Sequence, residues 1–383
     1  MKKSALRMFG LFLVVAAVAL LVAVPMYVAN SLPGELRLTQ AEFSRENPIT
    51  TPLPKLVRQN TNYPAVVGEE GERFIEVKLF GVVPLRKIKV EILPFEEVLV
   101  GGQLIGFLAN VDGVLVIQDS EVQTLKKGDL IVGLNGKRVN SVSDFAVAKG
   151  GDNVKFIRNE KEREVKLQTG EDGSLGLWLK DETSGVGTVT YINPENNNFA
   201  ALGHRLCDFE TGTSVDVRGG TVNKLEILGI TKSEGKNIGS YRSAIGNASK
   251  KLAQGDITAS RFSGVFGCLY SGSELAGGEL KLPVASRYNV RPGKASLRAT
   301  IDSSGPQEFD IEIVKTRMQK NPNTKSMIVR VVDERLLEAT GGIVHGMSGS
   351  PIVQNGHIVG ALTHVMLGES TKGYGIYIDF VMP

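Results

Sequence analysis

Gly346-Met347-Ser348-Gly349-Ser350-Pro351-Ile352-Val353, followed by Gln354-Asn355-Gly356-His357 and the apolar run Ile358-Val359-Gly360-Ala361-Leu362, decides how the rest of this chain is read. Glycines at 346 and 349 let the loop around Ser348 take dihedrals that residues with a Cβ avoid, so backbone amides can converge on one point. Amides placed that way suit a serine whose attack builds negative charge on a neighbouring oxygen. The Asn-Gly turn and the strand behind it hold the loop rigid.

A serine at its ordinary pKa is a weak nucleophile and needs a base, which narrows the search to the four histidines. His357 sits in the hairpin turn. His345 is too close to Ser348 in sequence to approach it independently. His364 ends the strand after the motif, where it would line a substrate cleft. His204 closes an apolar run, Phe199-Ala200-Ala201-Leu202-Gly203-His204. The Ser348 loop resembles the nucleophile loop of chymotrypsin-like peptidases, in which histidine comes from a first barrel and serine from a second. That order favours His204 as base, and the likeness gives the amides of Gly346 and Ser348 as the oxyanion hole. An orienting acid is open between Asp333, at the end of Ile328-Val329-Arg330-Val331-Val332, and Asp208, just after His204.

The 383 residues are 42% hydrophobic and 22% charged, enough apolar material for two or three folded domains. Net charge is only +3 and the charges are interleaved, so no nucleic-acid partner is expected. Two cysteines, Cys207 and Cys268, make no framework and no metal spacing; one disulfide or two buried thiols are the choices. Neither a metal nor a cofactor is called for.

Lys2, Lys3 and Arg7 precede an uncharged, mostly apolar run from Met8 to Ala29, roughly the 20 residues that span a bilayer. Residues 1–30 are therefore expected to be a basic flank and an uncleaved transmembrane signal anchor, with the remainder extracytoplasmic. Residues 31–65, with Pro33, Pro48, Pro52, Pro54 and Pro64, read as a linker, and residues 66–97 as a small β segment.

Residues 98–170 carry the element order of a PDZ domain. Leu104-Ile105-Gly106-Phe107 stand where such domains receive a peptide carboxylate, and Lys126-Lys127-Gly128-Asp129-Leu130-Ile131 leads to a hairpin at Asn135-Gly136. The expected function is capture of an extended peptide by β-augmentation. Residues 171–383 are Gly-rich with short β runs, as a sandwich or barrel requires, with one helical piece expected over residues 241–252. The fold expected is thus mainly β: a transmembrane helix, a PDZ domain, then a chymotrypsin-like β-barrel serine peptidase domain.

Four strings make the likeness specific: Gly185-Val186-Gly187-Thr188-Val189-Thr190, Ala201-Leu202-Gly203-His204, Asp333-Glu334-Arg335-Leu336-Leu337-Glu338-Ala339-Thr340-Gly341-Gly342-Ile343-Val344, and residues 346–352. Together they resemble the stage IV sporulation protein B family of endospore-forming bacteria. The resemblance implies a serine peptidase made in the forespore and sent to the space between the spore membranes. There it would cut a regulator of an intramembrane metalloprotease, in a signalling pathway that activates a late sigma factor, and would also cut itself. Matched residue by residue, the family's triad falls on His204, Asp333 and Ser348. Met347 stands where digestive chymotrypsin-like enzymes have an aspartate that pairs with a new N-terminus, so activation by that ion pair is excluded. Two rival readings remain: a PDZ-bearing binding protein of the envelope without catalysis, and a general quality-control protease, which usually has its peptidase before its PDZ module.

Overall fold

The computed structural model describes residues 2–45, 57–61, 73–94, 97–245, 253–276, 280–317, 319 and 321–383, in two compact units. The smaller unit comprises residues 1–96 and 285–290. Its helix Lys2–Ser31 leads into a four-stranded sheet of Glu35–Leu38, Val83–Ile92, Arg73–Leu79 and Val57–Thr61, in that spatial order. Alternate residues Leu36, Leu38, Ile75, Val77, Ile88 and Val90 point into one core, as the two-residue period of a strand dictates. Buried Glu42 caps the helix Gln40–Phe43 and accepts from the Ser286 amide at 3.0 Å and Asn289 Nδ2 at 2.5 Å, fastening residues 285–290 to the unit.

This unit corrects three expectations. Much of the supposed linker is ordered sheet and helix; Pro48, Pro52, Pro54 and Pro64, and residues 66–72 of the β segment, lie outside the described residues. The apolar run does form a helix, but among the described residues no helix is long and apolar enough to cross a membrane. That overturns the transmembrane anchor, the extracytoplasmic placement that rested on it, and the anchored, forespore-derived intermembrane placement that the family resemblance implied. The end of the run serves packing instead: Val28 and Leu32 are buried in the unit's core, and Arg86 Nη1 donates to the carbonyls of Ala29 and Leu32.

The larger unit holds two closed six-stranded antiparallel barrels. In the first, Leu104–Val116, Leu179–Ile192, Asn198–Ala201, Val217–Thr231, Ala253–Arg261 and Gly264–Leu269 pair in the cyclic order 1-2-3-6-5-4. In the second, Gly293–Thr300, Pro306–Thr316, Met327–Val331, Pro351–Gln354, His357–Met366 and Glu369–Tyr377 close in the same order. Each interior is filled by alternate apolar residues, among them Phe107, Val189, Phe199, Val222 and Ile257 in the first and Leu297, Phe309, Ile311, Val329 and Ile376 in the second. The mainly β architecture with barrels is as expected from the sequence.

The first barrel begins earlier than expected. Leu104 to Phe107 lie inside its first strand, paired with Thr188 to Gly185 on one side, while Ile105 to Phe107 also pair with Lys224 to Val222 on the other. A strand flanked on both edges spends its amides on ladder hydrogen bonds, so these residues form no open carboxylate-receiving loop. Residues 117–178 are an insertion between the first and second strands. With Val114 and Val116 of the first strand they form a separate core of Leu125, Ile131, Phe145, Val154 and Phe156. Within it Asn135 and Gly136 turn with φ of 49° and 77° between Leu130–Leu134 and Lys137–Arg138, and Ser141 caps the short helix Val142–Phe145. The helical piece expected over residues 241–252 is instead the strand Ser240–Ile245, and residues 246–252 lie outside the described residues.

Candidate active site

Both barrels send their third-to-fourth-strand connection to one cleft. In the first barrel, Leu202 and Gly203 follow the third strand with φ of 69° and 67°, and this left-handed pair swings the chain away from the sheet and presents His204. The Leu202 amide donates to the Thr188 carbonyl at 3.2 Å. His204 Nδ1 lies 2.7 Å from the Arg205 carbonyl. A carbonyl only accepts, so Nδ1 carries the proton and Nε2 keeps its lone pair. Burial pushes the His204 pKa below the ordinary histidine value, against the opposing pull of that hydrogen bond.

In the second barrel the connection begins with the helix Glu334–Thr340, turns at Gly341, and reaches Gly346, with φ of 103°, then Ser348 and Gly349, with φ of 97°. Met347 is fully buried. The Ser348 hydroxyl donates to the Thr363 carbonyl at 2.7 Å, so its single proton is not shared with a histidine in this arrangement. Among the described residues, the amides of Gly346 and Ser348 donate to no acceptor, whereas those of Met347, Gly349 and Ser350 go to Val344, Leu362 and Met347. Two neighbouring amides without acceptors are what an oxyanion hole needs.

The loop is clasped by the first barrel's second strand. The Thr188 amide donates to the Ser348 carbonyl at 2.9 Å, Thr188 Oγ1 to the Gly346 carbonyl at 2.8 Å, and Thr190 Oγ1 to the Gly349 carbonyl at 2.8 Å. Any Cβ on Gly349 would strike the Thr188 carbonyl and the Leu202 amide, which explains the glycine. In the sequence Thr188 and Thr190 stand out only as part of a family signature. Their spacing of two, which puts both hydroxyls on one face of a strand, is the signal that points to the clasp.

The cleft has a volume of about 590 Å³ and is lined by His204, Ser348 and His364, with Ile343, Val344, Leu362, Val365 and Tyr374 supplying apolar wall and Lys325 and Cys207 polar rim. The rings of His204 and His364 stand 4.9 Å apart at 33°. Although the His364 side chain is exposed at the rim, desolvation among its close neighbours, His204 and Lys325 together lower its pKa to about 4. His345 also lines the cleft, and His357 does not.

Neither candidate acid is hydrogen-bonded to His204. Asp333 is the N-cap of its helix: Oδ1 accepts from the Arg335 amide and Nε, and Oδ2 accepts from Arg335 Nη2 at 2.7 Å and the Asp310 amide at 3.1 Å. The Arg335 guanidinium, with those amides, holds its pKa down at about 2 against the opposing effect of burial. Asp208 is buried; burial raises its pKa, but hydrogen bonds from Lys180, Thr183 and Thr211 outweigh that and leave it lowered. The expected contact from Asp333 to His204 is thus replaced by the Arg205 carbonyl, because both carboxylates are consumed by their own turns and the neighbouring strand. Cys207 and Cys268 are free thiols.

The family model described as SpoIVB peptidase S55 matches residues 171–382. No curated protein matches the chain. Among solved structures the chain is similar to the active form of the Rv3671c protease from M. tuberculosis, at 12% identity and a TM-score of 0.27, over 51% of this chain and 70% of that one. Nothing at the site is carried over from that structure.

Proposed function

The chain belongs to the SpoIVB peptidase S55 family and is a peptidase, and from that premise we propose that it is a serine endopeptidase in which Ser348 attacks and His204 is the base. The observation that supports this best is that Ser348 and His204 line one cleft, from corresponding connections of two like barrels, with the Gly346 and Ser348 amides given no acceptor among the described residues.

In the proposed reaction the Ser348 hydroxyl leaves the Thr363 carbonyl and turns to Nε2 of His204. Its oxygen bonds to the substrate's peptide carbonyl carbon as His204 takes the proton. The resulting oxyanion is held by the amides of Gly346 and Ser348. His204 then protonates the departing amine as the carbon–nitrogen bond breaks; water, deprotonated by His204, attacks the acyl carbon, and His204 returns that proton to the Ser348 oxygen as its bond to the acyl group breaks. The Arg205 carbonyl holds the imidazole in the tautomer this requires. The strings shared with the family support a finer reading: the substrate is a regulator of an intramembrane metalloprotease in the sporulation pathway to a late sigma factor, and the chain also cuts itself.

Fluorophosphonate labelling tests the chemistry. Label is expected on Ser348, with none on Ser348→Ala and almost none on His204→Ala. Because the lowered pKa keeps His204 neutral further into acid, the labelling rate should hold as pH falls to 6.5, the ordinary histidine value, and drop only below it. A folded chain that takes no label would favour the rival reading, a binding protein whose partner capture survives Ser348→Ala.

A further inference from the structure

An oxyanion hole works only if its amides are already aimed when charge develops, and the buried neutral side chain of Met347 offers no ion pair to hold them. The first barrel's fourth strand supplies another support. Val217–Thr231 runs on past the barrel and pairs with Ser240–Ile245, forming an arm in which Leu225 faces Ile245 and Thr231 faces Ser240. The turn of this arm grips the approach to the nucleophile. The Ser233 amide donates to the Thr340 carbonyl at 2.8 Å and its hydroxyl to the Ile343 carbonyl at 3.0 Å, while that hydroxyl accepts from the Gly239 amide at 2.8 Å. The His345 amide donates to the Gly239 carbonyl at 2.8 Å, and Ser240 and His345 form a parallel bridge. His345 is thereby added to the arm as one more extended residue.

Tyr241 completes the grip. Its ring packs directly on Gly346: a Cβ there would lie 2.6 Å from Tyr241 Cδ2. The ring is fixed at its far end by the phenol, which donates to the Thr300 carbonyl at 2.8 Å, and the side chain is buried. The Gly346 peptide is therefore held between the Tyr241 ring and Thr188, whose hydroxyl takes the Gly346 carbonyl. We propose that the arm sets the oxyanion hole, with Tyr241 and Ser233 as positioning residues that fix the Gly346 peptide without touching substrate. This rests on the serine-peptidase reading given above.

The test uses the full chain, p-nitrophenyl acetate as substrate and a fluorophosphonate as active-site label. Misplacing one oxyanion donor costs on the order of 10²-fold in kcat, so Tyr241→Ala should lower kcat by about 100-fold with KM within about two-fold, since the loss falls on the transition state alone. Tyr241→Phe keeps the ring on Gly346 and should restore kcat to within about three-fold of wild type. Ser233→Ala should lower kcat by about ten-fold, and it carries the test if Tyr241→Ala fails to give a cooperative thermal melt. Folded variants with wild-type kcat, or a loss that appears in KM, overturn the role of the arm. A folded wild type that takes no label on Ser348 overturns the peptidase chemistry, and the arm's role falls with it. Label on wild type with equal labelling rates in the variants overturns the arm alone.

Discussion

The two barrels share one cyclic strand order and differ in what hangs from it. In the second, two hairpins are tight: residues 301–305 join its first two strands, and 355–356 its fourth and fifth. In the first, residues 117–178 separate strands one and two, and the fourth strand grows into the arm. Yet the third-to-fourth connection of each carries one member of the proposed pair, His204 in one and Ser348 in the other. Pairing between strands, not nearness in sequence, fixes where that connection emerges, so an insertion elsewhere leaves the chemistry in place. The first barrel also supports the second, because its second strand and its arm hold the other barrel's Ser348 loop.

The largest effect is expected where the two connections meet. Gly349→Ala pushes a Cβ into the Thr188 carbonyl and the Leu202 amide at a φ of 97°, and should cost about 4 kcal/mol in urea unfolding or prevent folding altogether. Gly356 has a comparable φ of 73° in a hairpin turn of the second barrel, with open space around it. Gly356→Ala should cost only about 1 kcal/mol, the backbone term alone. Equal costs would mean that the connections do not bear on each other and that the clasp is slack.

The next effect tests whether the insertion is an ornament on an ordinary hairpin. Val116 faces Leu179 in the first barrel as Thr300 faces Pro306 in the second. Replacing residues 117–178 by Ile301-Asp302-Ser303-Ser304-Gly305 should therefore give a chain that still folds and labels at Ser348. Its stability should fall by about 3 kcal/mol, because Val114 and Val116 lose the core they share with the insertion. Loss of the cooperative transition would show that the first barrel, unlike the second, depends on what interrupts it.

The contrast also explains what is legible in the sequence. Ser348 and His204, which line one cleft, are singled out in the sequence because a flanked serine and a histidine after an apolar run are local signals. The first strand is misassigned because Leu104-Ile105-Gly106-Phe107 carries a glycine and no polar–apolar alternation, and its partners, residues 184–188 and 217–224, lie beyond or across the insertion. Tyr241 reads as helical because one apolar face over a short run does not separate a helix from a two-residue period in an extended arm. The apolar N-terminal run gives the helix, but not the packing of Val28 and Leu32 into a sheet core. The hydroxyl clasp of Thr188 and Thr190 depends on a loop some 160 residues away in sequence, far beyond the reach of any local pattern.

The smallest effect concerns a parallel between the aspartates of the two barrels. Each third-to-fourth connection holds a buried aspartate, Asp208 in the first barrel and Asp333 in the second, and each is spent on its own turn and its barrel's second strand. Asp333 is held near pKa 2 in the folded chain, so it adds stability above the ordinary carboxylate range, and that stability is lost as pH falls through about 2. Because the Arg335 partner side chain is 64% exposed, solvent screening reduces the contribution to about 1 kcal/mol. Asp333→Asn should thus lower stability at pH 7 by that amount, with the difference from wild type vanishing in strong acid. Its labelling rate at Ser348 should match wild type, since the carbonyl of Arg205, not a carboxylate, orients His204. A triad acid behaves otherwise: its loss leaves the fold intact and removes about 10⁴-fold in rate. A drop of that size in a stable Asp333→Asn chain would require the second barrel's aspartate to swing from Arg335 to His204 during turnover, and the likeness between the two aspartates would end there.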